Sequence, residues 1–247
     1  MARPLSGQTA LVTGASRGIG AAIAKRLASE GADVTLTFVG SSDGADRVVH
    51  DIQQAGGHAL AVHADASVSG DGTAAVESVI SRHGHLEILV CNAGINISKP
   101  IDELTEQDFD ATFGVNVRGN FEIIRAASSQ MEPGGKIAVV SATIANRFFA
   151  PGLALYGASK AAVNAFVQGW ARDLGPKGIT INAVVPGPID TDMNPQDTDL
   201  ADHFRQMVPL GRYGTSEEVA ALAAFLVGPE AGFINGSLMI IDGGMNV

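Results

Sequence analysis

Short apolar runs alternate with longer amphipathic stretches along the whole chain, and no other feature restricts its fold so much. The runs are residues 9–13, 33–39, 59–63, 86–92, 136–142, 179–185 and 238–242. Nearly all are continuous rather than alternating, as strands covered on both faces must be. The stretches between them repeat apolar residues at helical spacing. The clearest spans 155–174, where Ala162, Val163, Phe166, Val167, Trp170 and Leu174 recur and Gly175-Pro176 stops the helix. Strands that alternate with helices give a parallel sheet, with right-handed crossovers and helices on both sides. The expected fold class is therefore α/β, a doubly wound, seven-stranded, mostly parallel sheet. No low-complexity linker or repeat marks a boundary, so residues 1–247 are read as a single domain.

Composition narrows the function. The single cysteine, Cys91, cannot form an internal disulfide and suits a reducing compartment. Histidines 50, 58, 63, 83, 85 and 203 form no ligand pattern with cysteine or carboxylates, so no metal is expected. With 16 basic and 26 acidic residues the net charge is −10, which disfavours nucleic acid or an anionic membrane as partner. No run reaches the ~18–20 apolar residues of a membrane span, and the opening residues lack the apolar core of a secretory signal. The cytoplasm is the expected location. Thirty glycines in 247 residues point to a compact enzyme with many tight turns.

Directly after the first run stands Thr13-Gly14-Ala15-Ser16-Arg17-Gly18-Ile19-Gly20, followed by a helical stretch. Gly14 permits a tight turn, Gly18 lets backbone approach a pyrophosphate, and Gly20 allows close helix packing. The helix N-terminus offers free N–H groups to the anion. In this strand, turn, helix context the residues predict a Rossmann-type nicotinamide dinucleotide site. At the end of the second run an acidic residue would select NAD, but Phe38 stands there, followed by the small hydroxyls Ser41 and Ser42. With Arg17 as a nearby cation, NADP(H) is preferred over NAD(H). Asp65 and Ala66 after the third run, and Asn92-Ala93-Gly94 after the fourth, fall at carboxyl ends of strands, where ligands of open α/β sheets bind.

Tyr156 and Lys160 are four residues apart on the strongest helix, hence on one face. An ammonium beside a phenol favours the phenolate and is expected to lower the pKa of Tyr156 towards working pH, making it a general acid or base.

Together, Thr-Gly-x-x-x-Gly-x-Gly, Asn-Ala-Gly, Tyr-x-x-x-Lys and the later Pro186-Gly187-Pro188-Ile189-Asp190-Thr191 resemble, in order and spacing, the classical short-chain dehydrogenase/reductase family. The resemblance extends over essentially the whole chain and implies hydride transfer between NAD(P)H and a carbonyl or alcohol, in a homotetramer or homodimer. It implies that Tyr156 protonates the carbonyl oxygen and that Lys160 holds the nicotinamide ribose. Asn116 would support a proton-relay water, while Pro186, Gly187, Ile189 and Thr191 would hold the nicotinamide. The chain is also similar to ketoacyl-carrier-protein reductases, although its charge makes it a poor platform for an acidic carrier. Residues 187–192 further resemble those of a bacterial relative that binds cyclic-di-GMP in biofilm dispersal. A nucleotide-binding regulator with weak or no catalysis is therefore the alternative to a carbonyl reductase.

One position departs from the family pattern. The serine expected at the end of the fifth run aligns with Ala142, which cannot donate a hydrogen bond. Three arrangements are open: Thr143 substitutes through a one-residue bulge, Ser141 substitutes, or the group is missing. Thr143, thirteen residues before Tyr156, is favoured by spacing, while strand alternation argues against either neighbour. The substrate is expected among Ser141, Ala142, Thr143, Phe148, Leu153 and Met193, with Ile95 and the rest of 147–151 nearby, an apolar pocket for an aryl, cyclic or medium-chain ketone. Residues 190–213, with five aspartates and two prolines, read as an exposed substrate lid that contains a short helix.

Overall fold

The structure, a computed structural model, describes residues 3–247. Among them seven strands form one sheet in the order β3-β2-β1-β4-β5-β6-β7. The strands are β1 (Thr9–Val12), β2 (Asp33–Phe38), β3 (His58–His63), β4 (Ile88–Cys91), β5 (Lys136–Val140), β6 (Thr180–Pro186) and β7 (Leu238–Ile241). Every pairing is parallel, so the sheet is wholly rather than mostly so.

The helices are α1 (Gly18–Ser29), α2 (Ser42–Gln54), α3 (Asp71–His83), α4 (Glu106–Phe113), α5 (Asn120–Ser128), α6 (Ala154–Leu174), α7 (Asp199–Met207) and α8 (Ser216–Val227). Successive strand residues point to opposite faces. On β5, Ala138 and Val140 join the core under α1, α2 and α8, whereas Ile137 and Val139 join the core under α3, α5 and α6. This two-sided covering is why the runs contain no polar alternation.

Most strands stop a residue or two before their apolar runs do. Thr13, Asn92, Ser141 and Ala142, expected inside strands, lie just beyond β1, β4 and β5. Their backbone leaves the ladder at the rim, where its groups turn towards the cleft. The chain runs outward from β1 to β3 and then returns to lay β4 on the other side of β1. Between those two directions lies the crevice in which open α/β sheets bind ligands.

Between α4 and α5 the backbone forms a π-helical turn, Gly114–Gly119, which the sequence does not announce. Gly119 faces residue 66 so closely that a Cβ there would lie 2.6 Å from the Ala66 carbonyl oxygen. Among the described residues, no helix is long and apolar enough to cross a membrane, and no cluster of side chains could hold a metal.

Candidate active site

A cleft of about 1140 Å³ opens along the carboxyl rim of the sheet. One end is built from the glycine turn. Gly14 and Gly18 adopt φ of +61° and +55°, which favours glycine. At Gly14 a Cβ would come within 2.8 Å of the Ala93 Cα, and at Gly20 within 2.4 Å of Asn92 Nδ2 and 2.6 Å of the Gly14 carbonyl oxygen. Gly20 therefore packs the turn against its neighbour without itself lining the cleft. The Thr13 hydroxyl accepts from the amides of Asn92 and Ala93 at 2.9 and 3.0 Å, and Asn92 Nδ2 donates to the carbonyls of Thr13 and Gly14 at 3.1 and 2.9 Å. These bonds join the turns after β1 and β4 into one unit.

No side chain caps α1, whose N-cap is Arg17, and its first turn has no acidic residue, whereas α2, α4, α7 and α8 are capped by Ser41, Thr105, Thr198 and Thr215. The first-turn N–H groups of α1 thus remain available to an anion. Together with the glycine cradle, this fits the pyrophosphate of a dinucleotide. Gly14, Ser16, Arg17, Gly18 and Ile19 line this end, and Asp65, Ala66, Asn92, Ala93 and Gly94 continue it.

At the rim of β2 the arrangement departs from expectation. Phe38 is turned into the core beneath α1 and α2, with its ring edge-on to His63 at 5.7 Å, and does not line the cleft. Val39, half exposed, and Gly40 stand there instead. Ser41 lines the cleft, although its hydroxyl accepts from the Gly44 amide at 3.2 Å. Ser42 lies outside on the exposed first turn of α2. The cause is strand alternation: a one-residue difference in where β2 ends changes which side chain faces the ligand.

Tyr156 and Lys160 lie together on the cleft wall, on one face of α6. Lys160 Nζ donates to the Val140 carbonyl at 2.8 Å and sits 5.8 Å from the centroid of the Tyr156 ring. Burial pushes the Tyr156 phenol up to about 12 and the Lys160 ammonium down to about 8. The expected lowering of the Tyr156 pKa is therefore absent: the ammonium is engaged by a carbonyl and flanks the ring, and loss of hydration dominates both groups.

Asn116 is fully buried in the π-turn and does not line the cleft. Its Oδ1 accepts from the Ile95 amide at 2.9 Å, and its Nδ2 donates to the Ile95 carbonyl at 2.9 Å and to Ser159 Oγ at 3.0 Å. It fixes the irregular segment that follows Gly94, next to Lys160: a Cβ on Gly94 would lie 3.3 Å from Asn116 Oδ1 and 3.5 Å from Lys160 Nζ.

Ser141, Ala142 and Thr143 all line the cleft. Ala142 is fully extended (φ −162°, ψ 152°), so the strand direction continues past β5 without the bulge considered from spacing. The Ser141 hydroxyl donates to the Lys160 carbonyl at 3.4 Å, towards the backbone of α6. Thr143 begins a short 3-10 turn, and no hydrogen bond within the described residues engages its hydroxyl.

At the other end, Leu153, Met193 and Ile95 line an apolar region. Phe148 is not part of it. That side chain is 56% exposed and packs over Gly157, while the next residue, Phe149, lines the cleft. Leu200 and Phe204 of α7 and the buried Met245 of the C-terminal tail complete the wall. An apolar stripe on an otherwise acidic helix signals the α7 pair, whereas Met245 has no local signal. Pro186, Gly187, Ile189 and Thr191 line the cleft opposite the glycine turn.

Comparison with known proteins agrees with this geometry. A family model described as enoyl-(acyl carrier protein) reductase matches residues 14–246. A short-chain dehydrogenase from Burkholderia cenocepacia J2315, solved in complex with NADP, is 48% identical with a TM-score of 0.97, over 99% of this chain and 100% of that one. The cyclic-di-GMP-binding biofilm dispersal mediator protein of Escherichia coli (strain K12) is 42% identical over 96% of this chain and 97% of its own length. A hydroxynaphthalene reductase-like protein of Metarhizium guizhouense is 36% identical, covering 98% of this chain and 96% of its own. Agreement of this extent means that the chain belongs to the short-chain dehydrogenase/reductase family.

Proposed function

We propose that this protein is an NADPH-dependent reductase that converts a ketone to an alcohol, reversibly, with Tyr156 as general acid. The observation that carries the proposal is the pairing of half-buried Tyr156 with buried Lys160 on the wall of a cleft whose far end is an uncapped helix N-terminus behind a glycine turn. The family likeness, and the NADP complex of the Burkholderia relative, support the cofactor. When bound, the nicotinamide supplies the hydride.

The residues of the chain do the rest. The N–H groups of α1 and the glycine turn hold the pyrophosphate, and Arg17 and Ser41 face the ribose that carries the 2′-phosphate. Ile189 and Thr191 orient the nicotinamide end. Tyr156, protonated at neutral pH, donates its proton to the substrate oxygen as negative charge develops there. An alkoxide is a stronger base than a phenolate, so this transfer is downhill even from a phenol raised to about 12. The Lys160 ammonium, held by the Val140 carbonyl, stabilises the phenolate left behind until solvent returns the proton. Thr143 supplies the hydroxyl that Ala142 lacks, and Ile95, Phe149, Leu153 and Met193 receive the apolar part of the ketone.

Residues 190–213 form a lid on this single domain. The segment leaves and returns at one place, where Gly214 donates to the Pro188 carbonyl at 3.0 Å and accepts from the Asp190 amide at 3.1 Å. The protein works as a homotetramer in the cytoplasm. In support of the oligomer, Phe109 on α4 and Phe121 on α5 stand outward, and the exposed Phe233 and Val247 flank the edge strand β7 in sequence.

Consumption of NADPH with a panel of aryl, cyclic and β-keto carbonyls tests the proposal. Turnover that disappears in Tyr156→Phe, while the variant still binds NADPH, is the expected result; NADPH binding without turnover on any ketone defeats it. A second reading, a cyclic-di-GMP-binding regulator, is favoured by Ala142 and by the likeness to the biofilm mediator. Cyclic-di-GMP binding together with catalytic silence would establish it.

A further inference from the structure

The lid meets the glycine turn at residues 191 and 192. Arg17 Nη1 lies 3.2 Å from Asp192 Oδ2, and both side chains remain largely exposed, at 71% and 69%. Beside this pair the Thr191 methyl is 3.5 Å from where a Cβ on Gly18 would be, so the contact has an apolar floor as well as an ionic bond. Both charged residues line the cleft. Arg17 is also the N-cap of α1, which places its guanidinium beside the uncapped first turn.

We infer that Asp192 is a specificity residue: it competes with the cofactor 2′-phosphate for the Arg17 guanidinium and so couples the position of the lid to which dinucleotide is bound. The inference rests on the reading of the cleft as an NADPH site with Arg17 at the 2′-phosphate. A 2′-phosphate carries more charge than a carboxylate and accepts the planar guanidinium through two oxygens, so it displaces Asp192. The freed carboxylate then faces a like charge, which pushes residues 190–193 away from the turn. A dinucleotide that ends in a 2′-hydroxyl has no such anion, so the Arg17–Asp192 contact survives and the lid stays tied to the turn.

An exposed ion pair of this kind is worth at most about fivefold in affinity, and repulsion by the freed carboxylate adds to that. Asp192→Asn removes both. Fluorescence titrations at low ionic strength would compare NADPH with NADH, and displacement would compare 2′,5′-ADP with 5′-AMP, which lack the nicotinamide end altogether. In Asp192→Asn, NADPH and 2′,5′-ADP are expected to bind about three- to tenfold tighter, with NADH and 5′-AMP changing less than twofold. Equal gains for both members of each pair, or no gain for the phosphorylated ones, overturn the inference.

The same titrations on Arg17→Ala separate the inference from the reading beneath it. Loss of NADPH preference in Arg17→Ala together with an unchanged Asp192→Asn leaves the NADPH site standing and removes the role of Asp192. An Arg17→Ala variant that binds NADPH and NADH as the unmodified protein does removes both.

Discussion

Asn116 grips both backbone groups of Ile95, with Oδ1 accepting its N–H and Nδ2 donating to its carbonyl, each at 2.9 Å. This bond pair connects the π-turn to the segment that follows the Asn92-Ala93-Gly94 turn, beside Lys160. Asn116→Leu leaves two backbone groups without their partners in a buried setting, at about 1–3 kcal/mol. Urea unfolding should show that loss. Asn116→Asp restores the acceptor but not the donor and should fall between the two.

The pH dependence of reduction follows from Lys160. Its ammonium titrates at about 8, so it is charged below that pH and neutral above it. The phenol, at about 12, stays protonated throughout. With the positive charge needed to stabilise the phenolate, kcat/KM for reduction is expected to be flat at neutral pH and to fall about tenfold per unit once Lys160 has lost its proton. A profile that rises through pH 8 would remove Lys160 from this role.

The hydroxyl next to Ala142 can be identified by substitution. Thr143→Val is expected to lower kcat by about 10²-fold, the cost of a lost oxyanion donor, with little change in cofactor binding. Ser141→Ala, whose hydroxyl is turned to the Lys160 carbonyl, should cost far less. Ala142→Ser, on the extended backbone just beyond β5, should raise kcat and make Thr143 dispensable. Steady-state rates of the three variants decide among these assignments.

Gly20→Ala inserts a methyl group 2.4 Å from Asn92 Nδ2 and 2.6 Å from the Gly14 carbonyl oxygen. Backbone must move, and α1 must tilt away from the turn. NADPH affinity should fall by more than about tenfold while far-ultraviolet circular dichroism stays near that of the unmodified protein. Gly169→Ala, on α6 outside the cleft and with nothing within 4 Å of the new Cβ, is the matched control.

Helix α8 begins with a reciprocal cap: Thr215 Oγ1 accepts from the Glu218 amide at 3.2 Å, and the Glu218 carboxylate accepts from the Thr215 amide at 2.9 Å. Bonds from Arg212 and the Thr215 amide hold that carboxylate at about 2. Thr215→Ala is expected to destabilise the protein by about 1 kcal/mol in urea without altering KM for NADPH.

Much of this was legible in the sequence because strand, turn and helix punctuation is local. The glycine turn, the Tyr156–Lys160 spacing and the seven runs are each defined by neighbours along the chain. What escaped depends on where a strand stops. Phe38 was expected at the cleft and the following residue, Val39, stands there, because along a strand one residue reverses the side to which a side chain points. Phe148 lies in the irregular loop before α6, where no periodicity tells that Phe149 is the one to line the cleft. The π-turn around Asn116 has no signature in composition. The raised Tyr156 pKa was missed for a related reason: spacing places an ammonium near a phenol but does not tell how far both are removed from water.

The jump of the chain from β3 back to β4 also governs when this cleft can come into being. Thr13 meets the amide of Asn92 across 79 residues, and Lys160 meets Val140 only after β5 has docked. Such distant contacts form late and slowly. A nascent chain that has made its glycine turn therefore has no place for a dinucleotide until the second half of the sheet has closed beside it. Cofactor retention thus reports completed folding, and an amino-terminal fragment carrying the whole glycine motif should be unable to retain the nucleotide.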